Sequence, residues 1–293
     1  MSDYHTPVLL QESVSALSIK PSGVYVDATF GGGGHGRAIL QQLSAKGRLI
    51  AIDQDSEALA GAPDDGRLIP VRSNFRFVHN WIRHNGYKTV DGILADLGVS
   101  SHQFDTAGRG FSFRFDSELD MRMSDTAAKT AKDIVNNYTE EALERIFREY
   151  GEVKGSRQAA RLVCSARSAK PIVTTSELND ALGEMTPQAA PHKFLAKVYQ
   201  ALRIEVNDEM KALERFMPMA IKSLGEGGIL AVITYHSLED RIVKNAVRDA
   251  VSAGLMEKVT AKPILPREEE IQQNTRARSA KLRVAKRTRM MYK

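Results

Sequence analysis

The sequence predicts an α/β fold in which a parallel, doubly wound sheet is interrupted by an inserted α-helical domain. Short apolar strands alternate with helix-periodic segments over the first hundred residues, which is typical of a parallel sheet covered by helices. The alternation stops after Asp96, and the next strand of the same kind, 228–234, follows a long region of loops and helices. A glycine-rich loop after the first strand adds the turn that such sheets use to hold a ligand.

Apolar spacing defines the expected elements. The expected strands are 24–29, 49–53, 68–72, 92–96 and 228–234, and the helices between the first four are 35–45, 56–62 and 75–85. Inside the insert we expect helices at 139–150, 155–168, 175–182 and 191–206, and helix 207–223 returns to the sheet. Ser237 is expected to open the helix after the last strand with a capping box over 237–240. The predicted domains are therefore 1–104 with 206–293, and an insert at 105–205.

Composition limits the function classes. The chain has 293 residues, of which 42% are hydrophobic and 26% are charged, as in globular proteins of one or two domains. It has neither an apolar run of membrane-spanning length nor a basic segment followed by an apolar one at its start. The single cysteine, Cys164, excludes an internal disulfide and a cysteine-rich metal site. We expect a cytoplasmic protein without a metal or a membrane partner.

The positive charge is concentrated near the C-terminus. The net charge is +5, whereas residues 271–293 alone carry +8 and the remainder carries −3. A basic patch beside a mildly acidic body is the electrostatic pattern of phosphate-backbone binding, and the alternative is a solvated terminal segment. Leu282 and Val284 alternate with Lys281 and Arg283, which favours an edge strand for part of this segment.

The segment Asp27-Ala28-Thr29-Phe30 leads into four glycines, His35 and Gly36. Glycines here reach positive φ and leave the backbone open to a ligand at a helix N-terminus. Gly31, Gly33 and Gly36 also fit the G-x-G-x-x-G spacing of dinucleotide-binding loops, although a purely structural glycine turn fits as well.

Three acids lie at strand ends, and two of them, Asp27 and Asp96, help to distinguish the two cofactor classes that use this architecture, nicotinamide dinucleotides and S-adenosylmethionine. Asp27 would repel a pyrophosphate but can pair with the ammonium of S-adenosylmethionine. Asp53 ends the second strand, where an acid accepts ribose hydroxyls in both classes. Asp96 ends the fourth strand, where methyltransferases place adenine and substrate contacts. Each acid has a plainer alternative as a helix cap.

Motifs along almost the whole chain resemble one family. They are His5–Leu10, Asp27–His35, Asp91–Ser101, Arg109–Phe113, Leu119–Met123, Gln200–Asn207, His236–Lys244 and Arg276–Ser279. Together they resemble the bacterial RsmH (MraW) family, which methylates N4 of a cytidine in the decoding region of 16S ribosomal RNA. The resemblance implies a Rossmann-like class I S-adenosylmethionine-dependent methyltransferase sheet. It also implies cofactor-binding positions at Gly33, Gly34, His35, Asp53, Phe75, Asp96 and Gln103. Tyr235 stands where this family more often has Phe.

The implied reaction needs a proton acceptor and a platform for the base. A cytosine amino group is a poor nucleophile because its lone pair is conjugated with the ring, so an enzyme helps by accepting its hydrogen bonds and its proton. We expect Asp96 to do this first and His236 second, although His236 is equally well explained as a helix-start residue. The aromatic candidates for stacking the flipped base are Phe111, Phe113 and Tyr235.

RNA requires a surface wider than the methyl site. Lys154, Arg157 and Arg161 fall on one predicted helix face with no acid among them, although the insert as a whole has 15 basic and 15 acidic residues. The alternative is a solvated helix face. Cys164 lies mid-helix and is interpreted as a packing residue, which argues against methylation of cytosine C5 through a thiolate.

Two other functions remain open at this point. One is a methyltransferase that acts on DNA or protein, and the other is a non-catalytic RNA-binding assembly factor. We expect 16S rRNA as the partner, within the small ribosomal subunit, and a monomer or a homodimer.

Overall fold

The computed structural model describes residues 7–100, 103–104 and 106–288. The chain divides into two compact units. Unit 1 comprises 1–98 and 210–293, and unit 2 comprises 99–209. The boundaries expected from the sequence, 104/105 and 205/206, lie a few residues inside these limits. Among the described residues, no helix is long and apolar enough to cross a membrane.

Unit 1 is built on a seven-stranded sheet. Its strands are β1 Val24–Asp27, β2 Arg48–Asp53, β3 Leu68–Arg72, β4 Val90–Asp96, β5 Leu224–Thr234, β6 Met256–Lys258 and β7 Lys281–Arg287. The order is β3-β2-β1-β4-β5-β7-β6. The first five strands in this order are parallel, and β7 pairs antiparallel with both β5 and β6.

Helices cover both faces of this sheet. Those of unit 1 are α1 Leu10–Ala16, α2 Gly34–Gln42, α3 Ser56–Ala60, α4 Val78–His84, α10 Glu209–Ser223 (from the last residue of unit 2), α11 Ser237–Ser252 and α12 Glu268–Gln273. One core cluster includes Phe216 and Ile50, and the other includes Tyr25 and Ile39, all of them almost fully buried. Alternate residues of a strand face opposite sides of a sheet, so β1 supplies Tyr25 to one core and Val26 to the other.

Unit 2 is helical. Its helices are α5 Ala131–Asn137, α6 Glu140–Glu149, α7 Ser156–Ala169, α8 Thr175–Ala181 and α9 Pro191–Asn207. The hydroxyl of Thr139 caps α6 by accepting from the Ala142 amide, and Leu143, Ile146 and Phe147 repeat on its buried face. These side chains form the core of unit 2.

Three local predictions are wrong. β7 is not an edge strand, because the three-residue β6 pairs along its outer side. The capping box of α11 starts one residue earlier than predicted, since His236 is the N-cap and Glu239 is its partner. The segment expected as one helix over 75–85 is a 3₁₀ turn, Phe75–Phe77, followed by α4.

Gly110 gives a stability test for unit 2. Its φ is +71°, and a Cβ there would meet the Glu118 carbonyl oxygen at 2.3 Å. We expect Gly110→Ala to lower the free energy of unfolding by about 2 kcal/mol or more, because backbone atoms cannot move aside as a side chain does. Urea unfolding measures this change. The control is Gly108→Ala, since a Cβ at Gly108 meets nothing within 4 Å; equal losses in both variants would contradict the explanation.

Candidate functional site

Three carboxylates end neighbouring parallel strands. Asp27 is the last residue of β1, Asp53 of β2 and Asp96 of β4. Since β1 lies between β2 and β4, the three side chains meet at the carboxyl edge of the sheet. This edge is where open α/β sheets bind ligands. The structure therefore brings together the three acids that the sequence singled out.

The glycine loop connects β1 to α2. The Gly31 amide donates to Asp53 Oδ2 at 2.7 Å, which joins the loop to the end of β2. Gly33 caps α2 with a φ of 74°. A Cβ on Gly33 would meet the Phe30 ring at 2.7 Å, and one on Gly34 would meet Pro7 at 2.1 Å. Packing against Phe30 and Pro7 thus requires glycine here, a reason that the sequence prediction did not contain.

Asp27 is 1% exposed. Its Oδ1 accepts from the Thr29 amide at 3.3 Å, while within the described part of the chain its buried Oδ2 has no hydrogen-bond partner. Burial raises the pKa of Asp27 to about 7, opposed by the amides of Thr29 and Gly36 and assisted by the charge of Asp53. A buried carboxylate oxygen without a partner is costly, and a cationic ligand group would satisfy it.

Asp53 is held by backbone donors on both oxygens. Besides the Gly31 amide on Oδ2, the Asp55 amide donates to Oδ1 at 2.8 Å. Burial raises the pKa of Asp53, and these amides oppose the rise. Each carboxylate oxygen has a second lone pair, so this fixed group retains the capacity to accept hydrogen bonds from a pair of hydroxyls.

Asp96 is bonded to Tyr235, the residue that follows β5. The Tyr235 hydroxyl donates to Asp96 Oδ1 at 2.7 Å, and the Asp96 amide donates to Thr29 Oγ1 at 2.6 Å. The Asp96 side chain remains 22% exposed. Burial raises the pKa of Asp96 to about 7; the Tyr235 hydrogen bond opposes the rise, and the charges of Asp27 and Glu239 add to it. The carboxyl is thus close to half-ionised near neutral pH.

His35 faces the free side of the same carboxyl. Its Nε2 donates to the Val8 carbonyl at 3.2 Å, and its Nδ1 lies 3.8 Å from Asp96 Oδ2. Burial lowers the pKa of His35 to about 4, so the ring is neutral at pH 7. With Nε2 protonated, Nδ1 carries a lone pair. Two acceptors, His35 Nδ1 and Asp96 Oδ2, therefore face each other across a gap that suits a bound N–H donor.

His236 is engaged at the start of α11. Its Nδ1 accepts from the Glu239 amide at 3.4 Å, and its Nε2 lies 3.2 Å from Glu239 Oε1. Glu239 is 2% exposed and also accepts from the Tyr235 amide at 2.8 Å. The sequence pattern predicts only that Glu239 lies in the first turn of a helix. In the structure it also fixes the backbone that carries Tyr235.

The aromatic candidates lie in different surroundings. Phe75 begins the 3₁₀ turn after β3 and packs edge-to-face on Phe216 at 5.2 Å between ring centres. In unit 2, Phe111 is 5% exposed and belongs to the core, and Phe113 packs edge-to-face on Tyr199 at 5.6 Å. Gln103, also in unit 2, is buried, and its Oε1 accepts from the Ser100 amide at 3.3 Å.

The basic candidates divide into exposed and paired groups. Arg157 and Arg161 are exposed on α7, although Arg161 Nε lies 3.9 Å from Glu140. In β7, Arg283 donates through both Nε and Nη2 to Asp240 at 2.7 and 3.1 Å. Lys281 also contacts Asp240, and Lys286 contacts Glu257. This part of the basic segment neutralises acids of unit 1, whereas Arg289 and Lys293 lie outside the described residues.

Known proteins resemble this chain over nearly its full length. The sequence model of the MraW methylase family matches residues 2–288. Proteins named ribosomal RNA small subunit methyltransferase H from Flavobacterium johnsoniae and Parabacteroides distasonis are each 50% identical to it, over 97% of this chain and 97% of theirs. A crystal structure named as a putative rRNA-methylase from Clostridium thermocellum aligns with a TM-score of 0.45 and 12% identity, covering 97% of this chain and 99% of that one.

Replacing Tyr235 by Phe tests the bond to Asp96. We expect Tyr235→Phe to raise the pKa of Asp96 above about 7, because the hydroxyl stabilises only the ionised carboxylate; proton affinity should rise about tenfold. Carboxyl ¹³C chemical shifts followed from pH 5 to 9 measure this pKa. Tyr87→Phe, a half-buried tyrosine elsewhere in unit 1, is the control. An unaltered titration of Asp96 in the Tyr235 variant would show that the bond has no electrostatic effect.

Proposed function

The chain belongs to the MraW methylase family, and we propose that it methylates N4 of a cytidine in the decoding region of small-subunit 16S ribosomal RNA. Its sheet has the class I fold of S-adenosylmethionine-dependent methyltransferases, with β7 inserted antiparallel between β5 and β6. The methyl donor of this family is S-adenosylmethionine. The names of the relatives support ribosomal RNA of the small subunit as the substrate.

The unpartnered Oδ2 of Asp27 is the observation that carries the cofactor assignment. A buried carboxylate oxygen beside the glycine loop fits the ammonium group of S-adenosylmethionine and would repel a pyrophosphate. We assign Asp53, held by two backbone amides, to the ribose hydroxyls, and Phe75 to the adenine. Gly33, Gly34 and His35 shape the loop around the cofactor, and Gln103 is proposed as a cofactor-binding position on the family resemblance alone.

When bound, S-adenosylmethionine supplies an electrophilic methyl group on its sulfonium. We propose that Asp96 Oδ2 accepts a hydrogen bond from the cytosine amino group and takes up the proton that this nitrogen loses. The pKa of about 7 places Asp96 where both uptake and release of a proton are accessible at neutral pH. His35 Nδ1, 3.8 Å away, is a second acceptor for the same amino group.

Asp96 suits proton uptake better than His236 does. Both ring nitrogens of His236 lie near Glu239, in the capping arrangement that begins α11. We therefore assign His236 to positioning: with Glu239 it fixes the turn that carries Tyr235. Among the aromatic candidates, Tyr235 lies beside Asp96, so we propose it as the ring nearest the target base. Phe111 and Phe113 pack in the core of unit 2, where they stiffen the substrate-recognition unit.

Methylation of cytosine C5 is disfavoured by Cys164. C5 chemistry needs a thiolate, and burial raises the pKa of the Cys164 thiol. DNA and protein remain alternative substrates for the same site, and a non-catalytic assembly factor remains the alternative to an enzyme. No observation on the described residues favours any of these three over RNA methylation.

Transfer of labelled methyl from S-adenosylmethionine tests the proposal. The acceptors are small ribosomal subunits and naked 16S RNA, both from a source that lacks the modification, followed by nucleoside analysis. We expect label in N4-methylcytidine. Label in another nucleoside would overturn the N4 assignment, and no label despite cofactor binding would move the protein to another substrate class. Absence of cofactor binding would favour the assembly factor.

Asp96→Asn tests the proton acceptor. An amide cannot take up the proton, so we expect kcat at saturating cofactor and RNA to fall by about 100-fold or more. Cofactor affinity measured by calorimetry in the same variant separates lost chemistry from lost binding. The control is Asp64→Asn, an exposed carboxylate of unit 1. Near-normal turnover of the Asp96 variant would refute its role.

Charge reversal on α7 tests the RNA contact of unit 2. We expect Arg157→Glu with Arg161→Glu to weaken RNA binding about tenfold or more at low salt and to flatten its salt dependence, because phosphate contacts release counterions. Cofactor affinity should not change. Lys193→Glu, exposed on a different helix of unit 2, is the control. Unchanged RNA affinity would remove this face from the proposal.

A further inference from the structure

Residues 72–90 of unit 1 form an acid-free segment that the proposed site does not use beyond Phe75. It contains four Arg or Lys residues, two histidines and four aromatic residues. The first turn of this segment and α4 bury Val78 and Ile82 against the sheet. Helical spacing leaves the other side to Arg76, Phe77, Arg83 and His84. Trp81 is half-buried against the same core and borders this side, and we call the five residues together the α4 face.

The α4 face displays an aromatic ring with a guanidinium stacked on it. Phe77 is 42% exposed. Arg76 Cζ lies 4.9 Å from the centre of this ring. One helical turn away, Trp81 packs edge-to-face with His84 at 5.3 Å. Exposed aromatic rings beside Arg are the surface on which single-stranded nucleic acid bases stack.

The charged side chains of residues 72–90 are all positive. Among the described residues, Arg83 and Lys88 are exposed and have no acidic partner within ion-pair distance. The pKa of His79, on the same helix, is lowered first by burial and then by the positive charges of Lys222 and Arg83. Lys222, at the end of α10, therefore belongs to the same positive region. Such a region attracts phosphates.

His79 has a structural role and is uncharged. His79 Nδ1 lies 2.9 Å from Ser223 Oγ, whose own hydroxyl proton is donated to the Met219 carbonyl. His79 must therefore donate through Nδ1, and its lowered pKa keeps the ring neutral. The positive charge thus comes from Arg and Lys side chains and persists across the physiological pH range.

We propose that the α4 face of unit 1 is a second RNA-binding surface, on which an unpaired base stacks on Phe77 while Arg83 and its basic neighbours contact phosphates. The inference rests on the proposed function for the identity of the RNA. Phe77 follows the proposed adenine contact Phe75 by two residues, so the surface starts at the carboxyl edge of the sheet after β3, and α4 carries it toward the opposite edge, where β4 begins. RNA bound there would be held by the catalytic unit itself, independently of α7.

Two single variants test this surface. Phe77→Ala removes the stacking ring and Arg83→Glu reverses one charge, while Lys46→Glu, exposed before β2, is the matched charge control. The probe is an unmodified small-subunit ribosomal RNA transcript, titrated at several salt concentrations. We expect each of the first two variants to bind it about tenfold more weakly at low salt. Only Arg83→Glu should reduce the slope of log affinity against log salt, by about one.

Cofactor affinity and thermal unfolding of both variants should match the wild type, which shows that Phe75 and the fold are undisturbed. Transcript affinities equal to the wild type would overturn the inference. Weakened binding to assembled subunits but not to the transcript would also overturn it, because the face would then contact a ribosomal protein. A wild-type enzyme that binds the transcript and methylates neither acceptor would refute the proposed function, while the affinity comparison would still decide the α4 face.

Discussion

The candidate site is built on three carboxylates at adjacent strand ends, and among the described residues no Lys or Arg forms an ion pair with any of them. β1 lies between β2 and β4, so Asp27 raises the pKa of Asp96 and Asp53 raises that of Asp27. Like charges this close in a low-dielectric edge are tolerated only with donors on each group. Backbone amides serve Asp53, the Thr29 amide serves one oxygen of Asp27, and the Tyr235 hydroxyl serves Asp96. Asp27 Oδ2 remains without a hydrogen-bond donor among the described residues, and a cationic ligand group would satisfy it.

This arrangement links stability to pH in opposite directions for the two acids Asp27 and Asp96 and for His35. The folded-state pKa values of Asp27 and Asp96 are raised to about 7, so between about pH 4 and 7 the folded protein holds protons that the unfolded chain has lost. The contribution of both acids to stability therefore falls as pH rises through that window. The pKa of His35 is lowered to about 4, so its contribution rises between about pH 4 and 6.5. Without a ligand, Asp27 and Asp96 therefore contribute least to the stability of the fold at the pH where both acids are charged.

The parts of the site that follow a local sequence pattern could be predicted from the sequence. Asp27, Asp53 and Asp96 each terminate a short apolar strand, and the glycine loop follows the first of them, so local spacing was enough to group them. The Tyr235–Asp96 hydrogen bond could not be predicted, because it joins residues 139 positions apart and depends on the register of β5 against β4. The packing of Gly33 on Phe30 and of Gly34 on Pro7 could not be predicted either. The sequence pattern placed β7 at an edge because alternation shows which side chains are buried but not whether another strand pairs beyond.

Formal charge and available charge also differ in this protein. The C-terminal segment is the most basic stretch of the sequence, yet Lys281 and Arg283 neutralise Asp240 on α11, and Lys286 contacts Glu257 on β6. Those cations link the antiparallel strand β7 to α11 and β6. A cation that is already paired with a carboxylate binds a phosphate less strongly. The segment 72–90 also lacks acids and has half as many cations, and its Arg83 stays unpaired within the described chain. A proposed RNA contact is therefore judged by which cations the fold leaves unpaired, and the formal charge of a segment does not give this by itself.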